Sequence, residues 1–378
     1  AEQSDALGVI RTEELLQARR LDGASQYFTR ANDFGFSKTR TEASRMWPEN
    51  ELLADMVRTI REFRPDVVVS RWNGTSSDGH GHHQFAGYLT PLAVAAAADG
   101  GRFTDQIDAG LQPWQVQKLY VSLRSDPADP NAQTLEINTG EYDPVTGRSF
   151  FQIGMQGRSQ QKTQQMGSLE LQGAQLSVLQ LTESNIAINS DERSVFDGID
   201  TSISGLIRFE RQPVSAFIEL SVELQAMIAG ILNNFNPLEP AASVAELAEA
   251  HELANLAKDA AHDSETIRLL EEKILEIESA LVLAAGVRVD ALTDTEMLVP
   301  GTTANIAARA YMPGASASLN SAQVNAPAGW RVSAADMELL PDETGRRRIE
   351  RPKEQAFFQV AIPAEANVTQ PYWLEKTR

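Results

Sequence analysis

Three of the five histidines in this chain of 378 residues fall within four positions, His80, His82 and His83, in the segment SSDGHGHHQF. Imidazoles three apart, on a tight loop or at a helix start, can point into one cleft. Neutral imidazole nitrogens bind a zinc-like divalent ion at about 2.0–2.1 Å, and a catalytic site takes three protein ligands and leaves one place for water. Water held there has its pKa drawn down towards about 7, which makes hydroxide available at neutral pH. A histidine beside the metal but not bound to it suits a general acid, because its ordinary pKa lies near the working range. Spacing alone leaves a second reading open, that of an exposed polar loop whose histidines do nothing. The loop cannot readily supply all three ligands. His251 and His262 sit on Glu- and Ala-rich helical segments and read as solvated surface residues. The chain has no cysteine, so disulfides, thiolate zinc sites and a cysteine nucleophile are excluded, and any metal must be held by His, Asp and Glu.

Such a loop has to be aimed by the elements around it. Upstream, WPENELLADMVRTIREF repeats its apolar positions at Leu52, Met56, Ile60 and Phe63, the period of an amphipathic helix. Pro65 breaks that helix, and the β-branched run DVVVS that follows reads as a buried parallel strand. The histidine loop emerges from the carboxyl end of this strand, which is where open α/β sheets carry their chemistry. A further helix is expected from Tyr88 to Ala98, then a strand near KLYVSL. Leu7, Ile10, Leu15 and Ala18 share one face of a first helix, and Gly23 suits its end.

Residues 1–170 therefore read as an α/β domain. Residues 171–285 turn mainly helical: AQLSVLQLTES alternates like a strand, but three helix candidates follow. The clearest is DSETIRLLEEKILEIESALVLAAG, with Ile267, Leu270, Ile274, Ile277 and Leu281 on one stripe, Asp263 or Ser264 as cap and Gly286 as stop. Residues 286–378 change to short alternating strands separated by Pro-Gly turns, the pattern of an immunoglobulin-like β-sandwich. No nucleotide-binding loop, G-x-S-x-G elbow or internal repeat occurs. Lys and Arg number 33 against 52 Asp and Glu, a net charge of −19 that repels phosphate backbones and anionic membranes, so nucleic acid is excluded as a partner. No run of roughly 18 apolar residues suggests a membrane span. The first residues show no basic-then-apolar leader, and both ends read as cut.

RPDVVVS followed by DGHGHHQFAG resembles the second metal motif of the PIG-L/LmbE family of zinc-dependent de-N-acetylases, and LGVIRTEELLQARRLDGA resembles the arginine helix that precedes it. FTRANDFGFS, GRSQQKTQQMG and FDGID resemble the large multidomain bacterial branch, so the likeness extends over residues 7 to 200. The resemblance implies a Rossmann-like catalytic domain, followed here by the helical region and the sandwich. It implies zinc, or another divalent metal, as cofactor and an N-acetylated amino sugar or its conjugate as substrate. Position by position, His83 matches the ligand histidine, and His80 the histidine that stabilises the oxyanion and protonates the leaving amine. Arg11 matches the substrate-binding arginine; read without the family, Arg11 would pair with Glu14 or cap the helix.

Three departures stand out. The family usually carries Asp where this chain has His82, so Asp78 and His82 become the candidates for orienting the ligand imidazole. Gln161 stands where related chains often have histidine. The His-Pro-Asp-Asp-Glu motif, which brings two ligands and the general base, is not in this sequence. It is expected upstream of Ala1 together with the first strand, so the chain is read as N-terminally truncated and inactive by itself. The competing reading is a non-catalytic glycan- or protein-binding scaffold with a degenerate metal loop. Export to the periplasm or outside the cell is implied by the resemblance alone, and oligomeric state is not legible.

Overall fold

The computed structural model describes residues 4–123, 129, 131–188, 191–312, 317–336 and 352–369. Two compact units divide the chain after Ile199.

The first unit opens with helix α1 (Ser4–Asp22), stopped by Gly23 at φ 72° with its N–H on the Arg19 carbonyl. Helices α2 (Arg40–Met46) and α3 (Glu49–Phe63) lead into strand β1 (Val67–Ser70). A short 3-10 turn at Ser76–Asp78 then delivers the chain into α4 (Gly81–Ala98). This helix starts seven residues before the expected Tyr88, so His82 and His83 are helical and His80 caps it. After α5 (Thr104–Asp108) come β2 (Lys118–Ser122), β3 (Thr134–Asn138), the short pair β4 (Tyr142–Asp143) and β5 (Arg148–Ser149), α6 (Phe150–Arg158) and β6 (Leu176–Ser184).

These strands make one four-stranded mixed sheet in the order β1-β2-β6-β3. Val67 to Ser70 pair in parallel with Lys118 to Val121, while β6 runs antiparallel to both β2 and β3. The expected boundary at residue 170 therefore moves. β6 supplies an inner strand, and beyond it Glu192 pairs with the buried Lys118 and accepts from the Tyr120 hydroxyl at 3.0 Å. A buried ammonium needs a carboxylate partner, and only the segment after β6 provides one. Leu52, Leu53 and Val57 of α3 pack on Phe85, Leu89 and Ala93 of α4, which is the core beneath the histidines.

The second unit, Asp200–Thr369, contains α7 (Ser215–Asn234), α8 (Val244–Ala260) and α9 (Ser264–Ala284). Phe217, Leu224 and Ile231, seven apart on α7, are buried with Ala250, Ala254 and Ala257 of α8 and Leu270, Ile274 and Ile277 of α9. Asp263 caps α9 by accepting from Glu265 N. By length and composition α7 could cross a membrane, alone among the described helices; Glu219 and Glu223 interrupt its sequence, which is why no apolar run is legible there. One stripe of it is buried against α8 and α9, while Ile218, Val222 and Leu232 are exposed. Strands β7 (Arg288–Thr293), β8 (Thr303–Tyr311), β9 (Arg331–Ala335) and β10 (Glu354–Ala361) form an antiparallel sheet in the order β7-β8-β10-β9. The expected strands are present, but a sandwich needs two facing sheets, and among the described residues this unit has one.

Candidate active site

The turn between β1 and α4 is built by Asp78. Its buried carboxylate accepts from the backbone N–H groups of Asn73 (3.1 Å) and Gly74 (2.7 Å), folding the loop back on itself. Asp78 therefore orients the next imidazole with its backbone instead of its carboxylate: the Asp78 carbonyl sits 2.9 Å from His83 Nδ1. A carbonyl can only accept, so His83 carries its proton on Nδ1 and keeps a lone pair on Nε2. Trp72 stacks on the same ring at 3.6 Å and 11°.

His80 lies at the N-cap of α4 with φ −83° and ψ 164°, and its side chain makes no capping bond. Its ring centre is 3.8 Å from that of His83, and its Nδ1 is a buried polar atom with no partner among the described residues. Phe36, 77% exposed, leans over it at 5.9 Å. His82 points elsewhere. It stacks on Phe34 (4.4 Å), meets Trp47 edge-on (4.7 Å) and shares a hydrogen bond with Ser37 Oγ (3.0 Å). Burial pushes its pKa below the usual imidazole range, the neighbouring His80 adds to that, and Asp33 opposes it.

Arg11 does not pair with Glu14. Its guanidinium binds Asp33 at 2.6 Å, while the buried Glu14 accepts from Thr163 N and Oγ1. The Gly35 N–H, with the Arg11 guanidinium beside it, holds the Asp33 carboxyl below the usual carboxylate range. Arg11, Asn32, Asp33 and Gly35 line a cleft of about 750 Å³. Asn32, Asp33 and Gly35 alternate in the chain with Phe34 and Phe36, the two phenylalanines that touch His82 and His80. Gln161 precedes the turn that presents Thr163, and its side chain meets Gln164, not the histidines.

Sequence reading missed the groups that hold this together. Gln84, one turn into α4, donates to the Gly79 and Lys38 carbonyls and accepts from Arg40 N, tying loop to loop. Gly81 allows the closest approach: a Cβ there would lie 2.1 Å from the Thr39 carbonyl oxygen and 2.6 Å from Ser37 Oγ. Gly81→Ala should push residues 37–39 off α4 and cost about 1–3 kcal/mol or more. Thermal melting checks this, and a wild-type curve would mean that the segment retreats freely. A glycine between histidines was the one legible signal, and it was read as loop.

A zinc-like ion in a catalytic site takes three protein ligands. His83, with its Nε2 lone pair and its Nδ1 fixed by a carbonyl, has the form of one such ligand. Among the described residues no group of three His, Asp or Glu side chains could hold an ion. The residues present fit one place in a coordination shell, not a whole one.

The paired imidazoles thus stand at a helix start, on a loop that leaves the carboxyl end of a parallel strand of an α/β domain. Residues 1–94 match the family model described as PIG-L, GlcNAc-PI de-N-acetylase, and form a PIG-L family domain. Over 139 residues the chain is 32% identical to 1D-myo-inositol 2-acetamido-2-deoxy-alpha-D-glucopyranoside deacetylase of Mycobacterium leprae, strain Br4923, and equally to that of strain TN. The match covers 32% of this chain and 42% of each relative, so the chain spans well under half of the relatives' length.

Proposed function

We propose that this protein hydrolyses the N-acetyl group of amino sugars or their conjugates. The observation that carries the reading is the side-by-side pair His80 and His83 at the start of α4, in a domain of the de-N-acetylase family. The relatives are named as deacetylases of an inositol 2-acetamido-2-deoxyglucopyranoside, and a glycoside of that class suits the cleft, where Arg11 and Asp33 offer a donor and an acceptor to sugar hydroxyls.

His80 faces the scissile amide in this reading. It donates a hydrogen bond to the carbonyl oxygen as negative charge builds there, and then a proton to the departing amine. Peptide N–H groups in the first turn of α4 add positive potential at the same place. A divalent ion at His83, with ligands beyond the described residues, would supply Lewis acidity and an ionised water at neutral pH. Trp72 and the Asp78 carbonyl keep His83 from turning.

The test is acetate release from an N-acetylglucosaminyl inositol by the natural full-length protein, with the free amine counted alongside. Equal amounts of both are expected. Tight binding of the glycoside without acetate would replace the hydrolase by a non-catalytic binding protein. His83→Ala should lower the affinity for zinc by roughly 10–100-fold or more. Metal content after dialysis reads this directly, and an unchanged content would remove His83 from the ligand set.

A further inference from the structure

His82 stands one residue from the ligand candidate and meets the His80 ring edge-on at 5.0 Å, yet its closer ring contacts and its hydrogen bond lead away from the pair. Its ring lies on Phe34 at 18° between planes, its edge partner Trp47 donates Nε1–H to the Asn32 carbonyl at 2.7 Å, and Ser37 Oγ bonds its Nδ1. Phe34 and Trp47 also meet each other edge to face at 5.4 Å. One imidazole therefore gathers both ends and the middle of residues 32–37 and fixes them to the first turn of α4. Asn32, Asp33 and Gly35 of the same segment line the Arg11–Asp33 cleft. Local helix physics would not hold them: no strand or helix includes them, and α2 starts only at Arg40.

We propose that His82 is a positioning residue that clamps the wall of the sugar cleft through Phe34, Trp47 and Ser37, and takes no part in proton transfer. The inference rests on the reading of that cleft as the sugar pocket. It also explains how a carboxylate can be dispensed with at this position. Asp could neither stack on Phe34 nor pack against Trp47, and it would bring a second negative charge towards Asp33. The Asp78 carbonyl already orients His83, so the position is released for another task.

Three variants of the natural full-length protein decide it: His82→Ala, His82→Asp and His82→Phe. Hydrogen exchange of the amides of residues 32–37 is followed, with α3 amides as internal reference for folding. Losing one ring stack and one hydrogen bond should speed exchange in the wall by roughly 10–100-fold in the Ala and Asp variants, and much less in the Phe variant, which keeps the stack. KM for the N-acetylglucosaminyl inositol should rise by about tenfold in the first two while kcat stays within about twofold, and Phe should restore KM. Unchanged exchange in His82→Ala overturns the clamp. So does a fall in kcat that Phe fails to rescue, because the imidazole itself would then do chemistry. A wild-type protein that releases no acetate refutes the hydrolase reading, and the exchange rates still decide the clamp.

Discussion

Alanine at position 80 is expected to slow deacetylation by about 10²–10⁴-fold, the range ordinarily supplied by a positioned general acid. The fold should barely notice. His80 occupies the N-cap of α4 without a capping hydrogen bond, so removing its ring costs the helix no cap. Its Nδ1 is buried with no partner among the described residues, a position that ordinarily costs stability and is retained where function needs it. The two effects separate cleanly in one experiment. Turnover of the glycoside should collapse in His80→Ala while the melting temperature and the zinc content remain those of the wild type. A variant that keeps its turnover would take His80 out of the chemistry. One that loses zinc along with turnover would make His80 a ligand.

The second large effect lies beneath the site. Arg61, on α3, is fully buried, and its hydrogen bonds among the described residues go to carbonyl and amide oxygens. Its guanidinium donates to the carbonyls of Ala96, Ala97, Asp99, Arg102 and Phe103 at 2.8–3.3 Å, and to Gln106 Oε1 at 3.2 Å. Burial lowers its pKa from the usual arginine value, and the charges of Asp105 and Asp99 oppose that shift. The cation sits at the negative end of α4 and gives the Ala96 and Ala97 carbonyls a second donor beside the N–H groups of Asp99 and Trp114. Arg61→Ala takes the donor from the Arg102 carbonyl and Gln106 Oε1, removes the second donor from four other carbonyls and opens a cavity, and should cost about 3–5 kcal/mol. Lysine should rescue only part, since a point charge with three donors cannot copy a planar fork. Urea unfolding followed by α-helical circular dichroism reads both variants. An unchanged midpoint in Arg61→Ala would mean that water takes over the carbonyls at no cost.

Several elements were legible because their causes are local. The stripe from Ile267 to Leu281, the cap at Asp263 and the stop at Gly286 describe α9 as it stands, since capping and helical period act over a few residues. The β-branched run at Val67 is a parallel strand, and the histidine loop leaves its carboxyl end. The start of α4 was misplaced by seven residues, because two glycines and three histidines argue for a loop. What makes a helix there is an approach from 44 positions away: Arg40 N meets Gln84, and only glycine at 81 lets residues 37–39 close in.

On α3, sequence pattern singled out the stripe Leu52, Met56, Ile60 and Phe63, yet Phe63 is 56% exposed and the inner face runs through Leu53, Val57 and Arg61. Hydrophobicity alone cannot choose an arginine for a core; the cluster of carbonyls at and beyond the end of α4 does.

The candidate site divides along the same line. Residue type and spacing alone placed His80 and His83 where both can face one cleft, whether on a tight loop or at a helix start; the structure makes it a helix start. Tertiary structure decided their surroundings. It gave Arg11 to Asp33 instead of Glu14, turned the Asp78 carboxylate into a loop brace, and sent His82 to Phe34, Trp47 and Ser37. The partners of Asp78 lie four and five residues back in its own turn, but those of Arg11 and His82 lie 22 to 48 residues away in the chain, beyond the reach of helix period or turn chemistry, and become neighbours only when the helices have packed.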